Sequence, residues 1–132
     1  MGAALGLIET VGLSAAAAAL DAATDTADVR LAGYEKVIGA GKSVSVTINL
    51  VGEVAAVQAA VEYGALAAEK VGTVLSARVI PRPHEDVDKL IEMFGANVKK
   101  ENKKQTKKRT VRKKQVSQTN VNEEPKENNL EK

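Results

Sequence analysis

The chain of 132 residues contains no cysteine, which excludes disulfide bonds, thiolate metal ligands and cysteine nucleophiles. Aromatic residues are almost as scarce, since Tyr34, Tyr63 and Phe94 are the only ones. No apolar run approaches the roughly 20 residues that a membrane-spanning helix needs. The N-terminal segment lacks the basic region of a signal peptide. We therefore expect an intracellular protein with no membrane partner and a core of small aliphatic side chains.

Charge divides the sequence into two parts. Residues 1–94 carry seven Lys and Arg against twelve Asp and Glu, a formal charge of −5. Residues 95–132 carry twelve against five, a formal charge of +7, and they lose the apolar periodicity. This composition predicts one folded acidic domain over residues 1–94, followed by a basic, disordered C-terminal extension over residues 95–132.

Hydrophobic periodicity in the acidic part predicts the order βαββαβα. Strands are predicted over residues 4–11, 28–38, 43–51 and 73–81, and helices over residues 13–24, 52–72 and 84–94. Ser14 is the expected N-cap of the first helix. The second helix is expected to bury a stripe at spacings of three and four: Val54, Val57, Val61, Ala65 and Ala68. Two βαβ halves around a central hairpin are the α+β, ferredoxin-like arrangement, an antiparallel sheet with helices on one face.

The triplet Gly41-Lys42-Ser43 is the ending of a phosphate-binding loop. The first glycine of that motif should stand at position 36, which is Lys36. The motif must also open a helix, whose N-terminal N–H groups face the phosphate, whereas here an alternating strand pattern follows. The sequence therefore favours a hairpin turn between two strands over a nucleotide site.

Five segments resemble the bacterial microcompartment shell domain of the hexamer-forming kind. They are ALGLIETVGLSAAAAALDAA (residues 4–23), LAGYEK (31–36), IGAG (38–41), GEVAAVQAAVEYGA (52–65) and VIPRPHEDVDKLI (79–91). The resemblance covers residues 4–92 in order. It implies a homohexameric tile that joins other shell proteins around a compartment in the bacterial cytoplasm, with a central pore that passes metabolites.

The resemblance implies that the turn at Gly39, Ala40 and Gly41 lines this pore. Six copies of one loop converge at a six-fold axis, so glycine keeps the opening passable and leaves backbone N–H groups to solutes. A ring of Lys36 or Lys42 near the opening would favour anions. The family's turn usually reads GYEK-IGSG, whereas this chain has an extra Val37 and Ala40 in place of the serine. The segment from Gly41 to Gly52 is also about three residues longer than usual, which leaves the pore diameter open.

The resemblance also places Asp25, Arg82 and His84 at or near the tile edge. Asp25 stands where the family has a lysine, while the arginine is retained as Arg82. An acid there would weaken self-tiling or favour insertion beside a different shell protein. His84, the only histidine, precedes several acids, and a solvated helix start explains it better than catalysis or metal binding. We expect no enzyme activity, no cofactor and no metal.

The basic extension concentrates its charge between residues 99 and 114. The cationic residues are Lys99, Lys100, Lys103, Lys104, Lys107, Lys108, Arg109, Arg112, Lys113 and Lys114. Without an aromatic residue for base stacking, any nucleic-acid contact would be to phosphates. The extension is either a solubilising tail or a binder of acidic encapsulated enzymes, acidic faces of neighbouring tiles or nucleic acid. The alternative to a shell subunit is therefore a small ferredoxin-like protein that binds nucleic acid or acidic partners through this tail.

Overall fold

The structure is a computed structural model that describes residues 3–39, 42–93 and 95. Its elements are, in order, β1 (Ala4–Val11), α1 (Leu13–Thr26), β2 (Val29–Ile38), β3 (Val44–Gly52), α2 (Val54–Val71), β4 (Val74–Ile80) and a third helix, α3, over residues 85–93. The predicted order βαββαβα is confirmed, and every predicted bound lies within two residues of the observed one. The predicted extension lies outside the described residues, apart from Gly95, which is helical. No helix among the described residues is both long and apolar enough to cross a membrane.

The four strands form one antiparallel sheet in the order β2-β3-β1-β4. Strand β1 is central, and its Ile8 lies opposite Ile48 of β3 and Ala77 of β4. Strands β2 and β3 form the central hairpin, with one register shift beside Ala32. This strand order is that of two interleaved βαβ halves, so the predicted ferredoxin-like fold is confirmed.

The faces of the sheet follow the alternation of strand side chains. Ile8 of β1 points to the helices and is fully buried, with its Cδ1 beside Gly64 of α2. Glu9 points to the opposite face, where its Oε1 accepts a 2.8 Å hydrogen bond from the Ser45 hydroxyl. Ser45 is fully buried, although the alternation of β3 predicts an exposed polar position. Its hydroxyl tolerates burial because the Glu9 carboxylate is in reach.

Helices α1 and α2 pack closely because the residues between them are small. Ala15, Ala16, Ala19 and Ala23 of α1 are all buried. A Cβ built on Gly64 of α2 would lie 2.8 Å from the backbone oxygen of Ala19. Only glycine fits at that approach. The scarcity of large side chains is thus a condition for this helix pair.

Two helical details differ from the sequence prediction. Gly12, with φ 81°, is the N-cap of α1, so Ser14 already lies inside the helix and makes no cap. The buried stripe of α2 is Val57, Ala60, Val61, Gly64 and Ala68. The predicted Val54 is 39% exposed, because the stripe is rotated toward the small residues that face α1.

The strand ends form two groups. At one end of the sheet, which we call the hairpin end, lie Val11, Ile38, Val44 and Val74. At the other, which we call the distal end, lie Ala4, Val29, Gly52 and Ile80. Ten residues of β2 separate the two ends by about 30 Å at roughly 3.3 Å per residue.

Candidate functional site

The turn between β2 and β3 is the candidate pore loop. Ile38, the last residue of β2, pairs with Val44, the first of β3. Beyond this pair, the Gly39 N–H donates to the Ser43 oxygen over 2.9 Å, and the Lys42 N–H donates to the Gly39 oxygen over 3.3 Å. The predicted hairpin is therefore confirmed. Ala40 and Gly41, two of the three predicted pore-lining residues, lie outside the described residues.

Backbone conformation explains why residue 39 is a glycine. Its φ is 97°, in the region that residues with a Cβ rarely adopt, and nothing lies within 4 Å of the position that a Cβ would take there. The glycine is therefore needed for the turn of the chain and not for space inside the protomer. Lys42 also has a positive φ, of 60°. It leads through Ser43 directly into β3 and not into a helix, which agrees with the rejection of a phosphate-binding loop.

The predicted pore lysines are both exposed in the protomer. Lys36 lies opposite Val46 on β2, two residues before Ile38 and on the same face of the strand. Lys42 lies between the two strands, directly after residues 39–41. The structure thus brings both lysines to the hairpin end, together with Gly39.

The sequence analysis missed Ile38 as a candidate site residue. This side chain is 85% exposed, the highest value among the exposed large hydrophobic residues of the described chain. Strand alternation places it on the face that the helices cover further along the sheet. The signal that could have identified it is position, because it is the last strand residue before the turn.

The predicted edge residues occupy the distal end of the sheet. Asp25 is exposed in the last turn of α1, which ends at Thr26, three residues before β2 begins. Arg82 is exposed two residues after Ile80, where β4 ends. Asp25 and Arg82 therefore lie near the same end of the sheet.

His84 caps the start of α3. Its Nδ1 accepts a hydrogen bond from the Asp86 backbone N–H over 3.2 Å and lies 3.6 Å from the Asp86 carboxylate. The shorter contact uses Nδ1 as an acceptor, so the capping hydrogen bond is the main interaction and the ion pair is secondary. Asp86 also accepts from Lys89 over 3.1 Å, and all three side chains are more than 70% exposed. Among the described residues, no group of His, Asp and Glu could hold a metal ion.

Comparison with known proteins identifies the family to which the chain belongs. A model of the BMC domain matches residues 4–83, which is more than half of the chain. The chain belongs to the BMC-domain family. It is a structural shell subunit of a bacterial microcompartment, and hexamers with a central pore are general features of its family.

Individual relatives agree with this membership. The chain is 52% identical over 88 residues to the bacterial microcompartment shell protein PduA of Citrobacter freundii, covering 67% of this chain and 90% of that one. It is 49% identical over 89 residues to the carboxysome shell protein CsoS1 of Prochlorococcus marinus, covering 67% and 82%. Among solved structures, a microcompartments protein from Desulfitobacterium hafniense DCB matches with a TM-score of 0.59 and 32% identity, over 67% of this chain and 48% of that one. The predicted shell subunit is confirmed, and none of these relatives favours the nucleic-acid-binding alternative.

The residues of the basic extension, Lys99 to Lys114, lie outside the described residues, so every role considered for them stays a prediction.

Proposed function

We propose that this shell subunit forms a closed homohexamer with the β2–β3 turn, residues 39–41, at the central pore. One observation carries the proposal: the turn and the predicted tile edge lie at opposite ends of the sheet, about 30 Å apart. A flat tile needs this separation, because the residues that meet at the axis cannot also reach a neighbouring tile. The family's hexameric state supports the same arrangement.

The exposed apolar side chains support a protomer that packs against copies of itself. Tyr63 and Leu66 on α2 are 54% and 50% exposed, and Leu75 on β4 is 40% exposed. The interior, by contrast, consists mainly of alanine and valine, which bury little area per residue. We therefore propose that association supplies a large share of the stability of the folded chain.

The distal end, with Asp25 and Arg82, is proposed as the contact between tiles. Both side chains are exposed in the protomer and free to meet a neighbour. An acid at position 25 repels an acid and attracts a cation on the facing tile. We therefore expect this edge to contact other shell proteins that carry a basic residue at the facing position. Binding of encapsulated enzymes or nucleic acid through the extension is a further prediction of the sequence alone.

The same proposal assigns no reaction to the chain. Family members are structural proteins, and the sole histidine has a capping contact that a structural role explains. Turnover of any substrate that is lost on His84→Ala would contradict it.

Light scattering coupled to size exclusion tests the hexamer. Six chains of 13.9 kDa give about 83 kDa, and we expect this species at both low and high salt, because a ring held by apolar contacts resists screening. Larger particles that form only at low salt would indicate that charges at the tile edge or in the extension add to assembly. A monomer at both salts would contradict the proposal.

Cysteine cross-linking tests the position of the turn. The chain has no cysteine, so Ala40→Cys introduces the only thiol. Neighbouring copies at a six-fold axis are as far apart as each is from the axis, so a turn within about 7 Å of the axis allows disulfides within one hexamer. Asp25→Cys is the matched control, since it lies at the distal end and should not cross-link protomers of one dilute hexamer. Cross-linking of the control but not of Ala40→Cys would place the turn away from the axis.

A further inference from the structure

An apolar patch surrounds the hairpin turn on the side of the sheet that carries the helices. Ile38 is 85% exposed, its cross-strand partner Val44 is 39% exposed, and Leu13 at the start of α1 is 71% exposed. The Gly12 N–H donates to the Val44 oxygen over 2.9 Å, so the backbone at the start of α1 lies beside Val44. We call these three residues the hairpin patch. Its contact with water is unfavourable in an isolated protomer.

Ile38 is held by the hydrogen-bonded ladder and is not part of a loose loop. Its pairing with Val44 continues the register that runs through Val37 and Ser45. The 2.9 Å bond from the Gly39 N–H to the Ser43 oxygen closes the chain directly after it. The direction of the Ile38 side chain is therefore set by β2 and is the same in every copy of the chain.

We propose that Ile38 is a specificity-determining residue of the pore, where six copies form an apolar ring that passes small uncharged solutes in preference to ions. This inference rests on the proposed function, which places the adjacent residue, Gly39, at the six-fold axis. Consecutive Cα atoms are about 3.8 Å apart, so Ile38 lies beside the opening that Gly39 lines, and its side chain narrows that opening where glycine has none. The Ile38 side chain has no polar group, so it cannot replace the water that a hydrated ion would lose on entering the ring.

The neighbouring lysines act outside this ring. Lys36 lies about 7 Å back along β2, at roughly 3.3 Å per residue, and Lys42 follows the turn. Their charges raise the local concentration of anions at the mouth, within a Debye length of about 8 Å at physiological salt. Passage, however, is decided at the narrowest point, and an apolar constriction excludes ions by losing its water. The lysines therefore attract anions that the ring holds back.

Ion conductance of the full-length hexamer, reconstituted in a planar lipid bilayer in potassium chloride, tests the ring. We expect Ile38→Ser to raise the conductance by about tenfold or more, because six hydroxyls let the opening stay wet. Ile38→Val keeps an apolar ring and should stay close to the unsubstituted protein. Met93→Ser, which removes another apolar side chain that is 69% exposed, controls for the loss of surface hydrophobicity. Equal conductance of Ile38→Ser and the unsubstituted hexamer would overturn the inference.

Cross-linking separates failure of this inference from failure of the proposed function. Ile38→Cys should form disulfides within the hexamer, as Ala40→Cys should. If Ala40→Cys cross-links but Ile38→Cys does not, the turn is at the axis and the apolar ring is wrong. If neither cross-links in a protein that still runs as a hexamer, the turn lies more than about 7 Å from the axis, and both the ring and the proposed position of a narrow pore are wrong. If both cross-link and the conductance rises only for Ile38→Ser, the ring is supported.

Discussion

Ile8 and Ile38 are the same residue type on the same face of one sheet, and the structure treats them in opposite ways. Ile8, in the middle of β1, is fully buried against Gly64, whereas Ile38, at the end of β2, is 85% exposed. Full burial of such a side chain is worth about 1.5–3 kcal/mol relative to exposure. Ile8 gains this free energy of burial within one protomer. Ile38 does not, so its apolar surface is available for assembly or transport.

The reason for the difference is the reach of the helix layer. Helices α1 and α2 cover the centre of the sheet, where Ala19 and Gly64 allow the closest approach. At the hairpin end this cover is missing, since Ile38 is 85% and Val44 39% exposed. The centre of the domain is therefore specified by contacts within the chain, and the hairpin end is left to solvent or to other copies.

The largest expected effect is that of Ile8→Ala. Removing this buried side chain leaves a cavity between the sheet and α2, and the free energy of unfolding should fall by about 2–5 kcal/mol. Urea denaturation at a fixed protein concentration measures it, since unfolding of an oligomer depends on concentration. Ile48→Val is the milder control at a buried, paired position, with an expected loss of about 0.5–1.5 kcal/mol. A loss below about 1 kcal/mol for Ile8→Ala, on the same order as the control, would mean that the centre is not tightly packed.

The next effect is that of Gly64→Val. The new Cβ would lie 2.8 Å from the Ala19 oxygen and 3.0 Å from the Ile8 Cδ1, so α1 and α2 would have to separate. We expect a loss of about 1–3 kcal/mol in unfolding free energy from overpacking. Ala55→Val, on the exposed side of the same helix, should cost no more than about 0.7 kcal/mol through helix propensity. Equal costs at the two positions would show that the helices tolerate a wider spacing.

These central contacts also show what the sequence could predict and what it could not. Strand alternation, helix propensity and periodicity, and glycine punctuation together predicted the ends of every element to within two residues. The predicted buried stripe of α2 was wrong at two positions, because Ala60 and Gly64 are buried there and not Val54 and Ala65. A stripe chosen by hydrophobicity favours larger side chains, whereas the approach of α1 selects small ones. That choice depends on a tertiary contact, which local periodicity does not contain.

The position of the hairpin was predictable from the sequence, whereas its role as the pore stays a prediction. Glycines in the turn and the resemblance to shell proteins indicated the hairpin, and the register places Gly39 and Lys36 there. The exposure of Ile38 could not be read from the pattern, because alternation tells which face a side chain is on and not whether a helix covers it. Asp25 and Arg82 share the distal end through the course of α1 and β4, which a fold prediction gives but a motif does not.

A smaller effect on stability is expected from Gly39→Ala, and it tests whether the hairpin end is held by backbone conformation. At φ 97° an alanine costs about 1–2 kcal/mol, although no atom lies within 4 Å of its Cβ. Ser43→Ala, exposed across the same turn, should change the unfolding free energy by less than about 0.5 kcal/mol. Thermal unfolding of the two variants side by side makes the comparison. A neutral Gly39→Ala would mean that the turn relaxes to another conformation, and Ile38 would then lose its fixed direction.

The smallest effect on stability is expected from Ile38→Ala, and its smallness carries the comparison. An exposed side chain leaves no cavity when it is shortened, so the unfolding free energy should change by less than about 0.5 kcal/mol. The same chemical change at Ile8 should cost several times more, as measured by urea denaturation under identical conditions. A loss of about 2 kcal/mol or more for Ile38→Ala would indicate that a neighbouring protomer buries this residue. The hairpin patch would then be a subunit contact, the pore ring would be excluded, and the two isoleucines would differ only in which chain covers them.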